Sequence, residues 1–245
     1  MTLSATPIVL LHGWGFTPEV WNPLIAALEE HGIERSRMLA PVLPLQPNQS
    51  LSETLAALST QLPDRAHIVG WSLGGELALA LAQTHPNKIA SLTMISSTPC
   101  FMNRDDWSAG QPTSLLDDFD ERLATNPTAL LKRFATLIRH GDAEASRDRA
   151  LSEHLALMSD QNVGRLSAGL ALLRDIDLRA SAIVHLPYLL IHGTHDAVTP
   201  LIAAEFLAQT AQARLHRIDN ASHVLPLTHP TQIATHLSAF FEQHP

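Results

Sequence analysis

Residues 67–82 read HIVGWSLGGELALALA: an apolar run breaks at Gly70-Trp71-Ser72-Leu73-Gly74 and resumes as a run rich in alanine and leucine. The first run predicts a strand over 66–71, and the second predicts a helix over 73–84. A strand that turns at once into a helix strains its turn residue. It also leaves no room for a Cβ two positions to either side, and both positions here are glycine. The Ser72 hydroxyl is thereby pushed into the open. The helix that starts at Leu73 aims its free N–H groups at whatever that hydroxyl attacks. A serine between glycines is also common in plain turns, so the reading depends on what surrounds it.

Outward from this junction, short aliphatic runs alternate with longer helical patterns. Strands are expected at 7–13, 37–44, 66–71, 89–96, 186–193 and 213–219. Helices are expected at 19–32, 50–63, 73–84, 199–212 and 229–243, the second opening on a Ser50/Glu53 capping box. This alternation predicts an α/β fold, a mostly parallel sheet flanked by helices. Between about 100 and 182 the pattern changes to helical periodicity alone, with segments near 113–124, 127–140, 143–158 and 163–174. The organisation expected is a core of 1–99 and 183–245 carrying a helical lid insertion of 100–182. Such a lid would sit above the strand ends where open sheets bind ligands.

The 245 residues suffice for one such domain, and 45% hydrophobic with 16% charged residues is a globular composition. A net charge of −8 argues against nucleic acid or an anionic membrane as partner. A single cysteine, Cys100, excludes an internal disulfide and fits a reducing compartment. The first residues show neither a basic region nor a cleavage site, and no apolar stretch is long enough to span a bilayer. A cytoplasmic monomer is the expectation.

A serine hydroxyl needs a base within reach and a group to orient that base. With a strand–serine–helix junction the expected order is serine, acid, histidine. Asp196 follows the strand predicted at 186–193, and His223 follows the one at 213–219. Both therefore fall in strand-end loops. Among fourteen histidines, His192 and His195 precede the acid. His229 stands where a helix begins, and His12 sits in the early HGWG turn. Asp105 and Asp106 are an alternative acid in a variant layout. The histidines are scattered, without metal-ligand spacing, and the chemistry calls for no cofactor. The oxyanion of a tetrahedral intermediate needs two N–H donors. Leu73, after the serine, offers one, and Trp14 in the HGWG turn offers the second.

Together LLHGWG, GWSLGG, HGTHDAVTP and ASH resemble the α/β-hydrolase family over nearly the whole chain. Within it, HGWGFTPEVW, GWSLGGELA and SSTPCFMNRDDW resemble the group of biotin-synthesis carboxylesterases that cleave the methyl ester of pimeloyl-acyl carrier protein. The resemblance implies the α/β-hydrolase fold and a serine esterase acting on that carrier-bound ester or on small esters. It implies that Trp14, Ser72, Leu73, Phe134, Ala135, Thr136, Leu137, Ile138 and His223 contact substrate. This chain departs from the group at Ile138, where a polar residue is usual. It departs again at 40–50, where a glycine-rich loop is replaced by APVLPLQPNQS, and the group's usual N-terminal hairpin is expected to be shortened or missing. The triad alone does not separate an esterase from a thioesterase or a carbon–carbon hydrolase of this fold. A non-catalytic binding protein would be expected to lack a triad member.

An acyl carrier is acidic, so an acidic enzyme needs a local basic patch to dock it. Lys132, Arg133, Arg139, Arg147 and Arg149 supply one, interspersed with Asp142, Glu144 and Asp148. On the helix expected at 127–140, Leu130, Phe134, Leu137 and Ile138 share one face while Lys132 and Arg139 lie opposite. The same pattern also describes an ordinary helix with a solvated face.

Overall fold

A computed structural model of the chain describes residues 6–143, 145, 163–182 and 185–245. Six parallel strands form one sheet in the order β2-β1-β3-β4-β5-β6. They are β1 (Ile8–Leu11), β2 (Met38–Leu39), β3 (Ala66–Trp71), β4 (Ile89–Ile95), β5 (Tyr188–Gly193) and β6 (Arg214–Ile218). Every residue of β1, β3, β4 and β5 is buried. Strands covered on both faces need apolar side chains at consecutive positions, which is why β1 is an unbroken aliphatic run and the other three are largely apolar, with a few small or hydrogen-bonding residues among them. β6, at the edge, is mostly accessible.

The helices are α1 (Asn22–Glu30), α2 (Leu51–Ser59), α3 (Leu73–Thr84), α4 (Thr113–Thr125), α5 (Pro127–Ile138), α6 (Val163–Asp175), α7 (Leu201–Thr210), α8 (Leu225–Thr228) and α9 (Pro230–Gln243). Their sides of the sheet follow from strand alternation. His67 of β3 stacks on Phe241 of α9 at 4.4 Å between ring centroids. Gly70, of opposite parity, faces α3, where a Cβ would overlap the Gly74 carbonyl. α1 packs beside α9, and α2 beside α3. The capping box of α2 is formed: Ser50 Oγ accepts from Glu53 N–H at 3.2 Å, and Glu53 Oε2 accepts from Ser50 N–H at 2.8 Å.

The strand expected at 37–44 is cut to two residues. Pro41 and Pro44 have no N–H to give to a ladder, and they fall just beyond Leu39 on an edge strand. The helix expected at 19–32 begins as a 3-10 turn, Pro18–Trp21, and its α-helical part is Asn22–Glu30. Helices expected at 113–124, 127–140 and 163–174 correspond to α4, α5 and α6. Of the segment expected at 143–158, only 143 and 145 are described, as turn; the remainder lies outside the described residues.

Two features of topology place the site. β1 sends the chain outward to β2, while β3 sends it the other way to β4, so their carboxyl-terminal loops adjoin at a switch point. The loops after β5 and β6 open on the same edge, since all strands are parallel. The helices between β4 and β5 meet this edge. Trp14 Nε1 donates to Leu166 O of α6 at 2.8 Å, and its ring packs against Phe119 of α4 and Phe134 of α5.

Candidate active site

Ser72 stands between β3 and α3 at φ 55°, ψ −124°, a left-handed conformation that costs a non-glycine residue free energy. The turn holds because glycines flank it. A Cβ on Gly70 would strike the Gly74 carbonyl, and one on Gly74 would strike the Leu11 carbonyl. Ser72 N–H donates to Ile95 O at 3.0 Å, and Ser97 Oγ donates to Ser72 O at 2.8 Å. These bonds fix the backbone and leave the Ser72 hydroxyl free to point elsewhere.

It points to His223. His223 Nε2 is 3.0 Å from Ser72 Oγ, and His223 Nδ1 is 2.8 Å from Asp196 Oδ2. The consistent proton arrangement has Nδ1–H donating to the carboxylate and Nε2 accepting from the serine hydroxyl. The loop carrying His223 crosses the end of β5 directly over Gly193, where any Cβ would collide with the Ala221 carbonyl. Trp71 Nε1 donates to His223 O at 2.9 Å and fixes the far side of that loop.

Asp196 is buried and fully satisfied. Oδ1 accepts from Val198 N–H at 2.9 Å and from Thr199 N–H at 2.8 Å. Oδ2 accepts from Thr199 Oγ1 at 2.9 Å in addition to His223. Burial by itself would raise this carboxyl. The facing His223 charge and hydrogen bond, with smaller help from His192 and the Thr199 N–H, outweigh it and hold the pKa at about 2. His192 lies 3.6 Å from the same oxygen. Burial pushes its pKa down, and its Nε2–H donates to Thr199 O at 2.6 Å, so it braces the acid loop as a neutral ring.

The HGWG turn lies against the serine, with a Cβ built on Gly13 only 3.2 Å from Ser72 Cβ. The Leu73 N–H occupies the first position of α3, which has no acceptor within the helix. Gly13, next to Trp14, and Leu73, next to Ser72, thus bring the HGWG turn and the start of α3 together at the serine. His12 supports this turn. Its Nδ1–H donates to Gly13 O at 2.9 Å and Nε2 accepts from Leu43 N–H at 3.4 Å, while burial lowers its pKa to about 4.

The other residues singled out from sequence are distributed as follows. Phe134, Ala135 and Ile138 are buried and Leu137 is half-buried, but Thr136 is exposed beside Lys132, its hydroxyl donating to Lys132 O at 3.1 Å. The structure thus turns Thr136 away from the triad side of α5. Lys132 is exposed, Arg139 is half-buried with Nε donating to Ala135 O, and Arg133 Nε lies 3.5 Å from Asp118. Arg147 and Arg149 lie outside the described residues. His195 Nδ1–H donates to Gly141 O, and His229 caps α9. Asp105 and Asp106 are both exposed, the latter paired with Arg179 at 2.8 Å; the acid facing His223 is Asp196. Among the described residues no group of three or more His, Cys, Asp or Glu side chains is placed to hold a metal ion.

Sequence reasoning missed Thr199, Trp71 and Ser97. Thr199 had a signal, since Asp-x-x-Thr in a turn favours side-chain to backbone bonds of this kind. Trp71 and Ser97 had none, because their partners are distant in sequence.

The sequence matches the profile of the alpha/beta hydrolase family over residues 8–236. It is 40% identical to a pimeloyl-[acyl-carrier protein] methyl ester esterase of Aromatoleum aromaticum over 245 residues, covering 95% of this chain and 96% of that protein. It is 34% identical to the protein of the same name in Nitrosomonas europaea, with 96% and 95% covered. Among solved structures, a bromoperoxidase from Bacillus anthracis superposes with a TM-score of 0.86 at 18% identity, covering 98% of this chain and 92% of that one. An enol-lactonase from Burkholderia xenovorans does so with a TM-score of 0.83 at 20% identity, covering 97% and 91%. At these identities the structural likeness speaks for the fold alone.

Proposed function

The chain belongs to the alpha/beta hydrolase family, and on that premise we propose that it is a serine carboxylesterase whose triad is Ser72, His223 and Asp196. Ser72 Oγ attacks the ester carbonyl carbon, and its proton passes to His223 Nε2. Asp196, ionised throughout the working pH range, accepts the Nδ1–H bond and stabilises the imidazolium. The N–H groups of Trp14 and Leu73 bind the carbonyl oxygen as it becomes negative. Collapse of the intermediate expels the alcohol, which takes the proton back from His223. Water then enters by the same route and releases the acid. The observation that carries this reading is the single imidazole that spans Ser72 Oγ at 3.0 Å and Asp196 Oδ2 at 2.8 Å.

The substrate we assign is the methyl ester of pimeloyl-acyl carrier protein, with methanol as the leaving alcohol. The full-length similarity to esterases named for that substrate supports it. So does the aromatic cluster of Trp14, Phe119 and Phe134 beside the oxyanion position, an apolar wall for an acyl chain. Residues 100–182 act as the lid over that wall, Phe134 and Ile138 forming part of its inner face. The exposed Lys132 and the neighbouring Arg139 meet the acidic carrier from outside. The setting is the cytoplasm and the working unit a monomer. Among the described residues, no helix is long and apolar enough to cross a membrane.

The test is hydrolysis of pimeloyl-carrier methyl ester, read as methanol release, with Ser72→Ala as control. Turnover with the carrier ester, absent in the variant, and growth rescue of a biotin auxotroph lacking its own esterase are expected. Turnover confined to short free esters would reduce the assignment to a general esterase.

A further inference from the structure

Two of the contacts that pin the backbone around His223 come from different parts of the molecule. On one side, Trp71 of the core holds His223 O through its indole N–H at 2.9 Å. On the other, the helical insertion holds Ser222. Asp142 Oδ2 accepts from Ser222 N–H at 3.2 Å and from Ser222 Oγ at 3.3 Å. Asp142 is only 3% exposed, and its Oδ1 accepts from Ala145 N–H at 2.9 Å. The residue just before it, Gly141, accepts from His195 Nδ1–H at 2.9 Å. Gly141 adopts φ +85°, which brings this turn close to His195. The turn after α5 therefore touches the residue that precedes each loop member of the triad: His195 before Asp196, and Ser222 before His223.

We propose that Asp142 is a positioning residue for the base, acting through Ser222, so that the insertion is a working part of the triad as well as its cover. A buried carboxylate that accepts two hydrogen bonds from one residue holds that residue's backbone more firmly than a neutral acceptor would. Released from it, the 219–224 loop keeps the Trp71 bond to His223 O and the ties at Asn220 and Ala221, but it loses the contact that holds Ser222 next to the base, and the imidazole no longer has one defined distance to Ser72 Oγ. An error of about 1 Å in such a contact lowers rate by up to about 100-fold. The proposal rests on the triad reading above.

The experiment compares the parent with Asp142→Ala, Asp142→Asn and Ser222→Ala as full-length folded proteins, checked by thermal melting. Two rates are read: kcat and KM on p-nitrophenyl butyrate, and the rate of Ser72 phosphonylation by a fluorophosphonate, which depends on the base and needs no acyl pocket. Asp142→Ala is expected to lower kcat and the phosphonylation rate together, between about 10- and 100-fold, with KM unchanged. Asp142→Asn, which keeps an acceptor oxygen, falls between Asp142→Ala and the parent. Adding Ser222→Ala to Asp142→Ala loses nothing further, since both act through one contact. A folded Asp142→Ala with parental kcat and phosphonylation rate, or with a raised KM alone, overturns the proposal and leaves Asp142 a structural residue of the insertion. If Asp142→Ala does not fold, Asp142→Asn and Ser222→Ala decide: reduced phosphonylation at parental melting temperature supports the proposal, and an unchanged rate in both overturns it. A parent that is not labelled at Ser72 overturns the triad reading and this one with it; a labelled parent with unaffected variants overturns this one alone.

Discussion

His223 Nε2 lies 3.0 Å from Ser72 Oγ across 151 positions of sequence. The sheet makes that contact possible without supplying it. β6 stands three strands from β3 in the order β2-β1-β3-β4-β5-β6, so their ends are about 14 Å apart at ordinary strand spacing. The loop after β6 covers that span by folding back over Gly193, where it is tied by His195 N–H donating to Ala221 O at 2.9 Å. Asp196, from the loop after β5, meets the imidazole on the way.

Removing either partner of the serine should therefore cost most of the rate. His223→Ala is expected to lower kcat on a small ester on the order of 10⁴-fold or more, with little change in KM. Asp196→Asn leaves the loop in place but offers an amide where the Nδ1–H needs a carboxylate, and a loss of similar size is expected. Steady-state kinetics on both variants checks this; a loss below about tenfold in either would remove that residue from the mechanism.

Acid should weaken the fold through Asp196 in a defined window. Its folded pKa of about 2 lies below the unfolded value of about 3.9. The carboxylate's contribution is thus complete above about pH 5 and is lost as the pH falls through the folded value. Urea unfolding from pH 7 to pH 2 should show the parent's advantage over Asp196→Asn shrinking by about 2 kcal/mol between about pH 5 and pH 2. A difference that stays flat across that range contradicts the assignment.

Glu76 predicts the opposite sign. It lies in α3, fully buried, and among the described residues neither carboxyl oxygen has a hydrogen-bond partner. Burial raises its pKa well above the ordinary value, so the folded protein holds a proton that the unfolded chain releases. Stability is free of this penalty below about pH 4 and declines as the pH rises toward the folded pKa. Glu76→Met, close in volume and a good helix former, should stabilise by about 1–3 kcal/mol at pH 8. That gain should fade toward pH 4. A variant less stable than the parent at pH 8 would show that the carboxyl has a partner after all.

Charge on the outer face of α5 should matter for one substrate only. Lys132→Glu with Arg139→Glu is expected to lower kcat/KM for the carrier-bound ester by about tenfold or more, an effect that fades with added salt. Hydrolysis of p-nitrophenyl butyrate should stay at the parental level. Equal losses on both substrates would assign these residues to the fold of the insertion.

The buried strands and the junction at Ser72 are legible in sequence because their signals are local. Apolar runs of strand length, bounded glycines and a capping box each depend on a few consecutive residues. The apolar run at 37–44 overstates β2, because Pro41 and Pro44 withdraw two donors from an edge strand that ends at Leu39. The resemblance takes Phe134 to Ile138 as one contiguous stretch, whereas helical rotation puts the exposed Thr136 on the side of Lys132. The contacts that hold the triad in place were not legible. Trp71 on His223 O, Ser97 on Ser72 O and Asp142 on Ser222 join residues 152, 25 and 80 positions apart. No periodicity or motif spacing encodes pairings of that kind, which arise only once the sheet order has been set.

The most direct test of the central claim is to treat the protein with a fluorophosphonate and map the adduct by peptide mass spectrometry. One adduct, on Ser72, is predicted, formed at a rate that falls sharply in His223→Ala and absent in Ser72→Ala. An adduct on another residue, or an intact esterase rate in Ser72→Ala, would contradict the account.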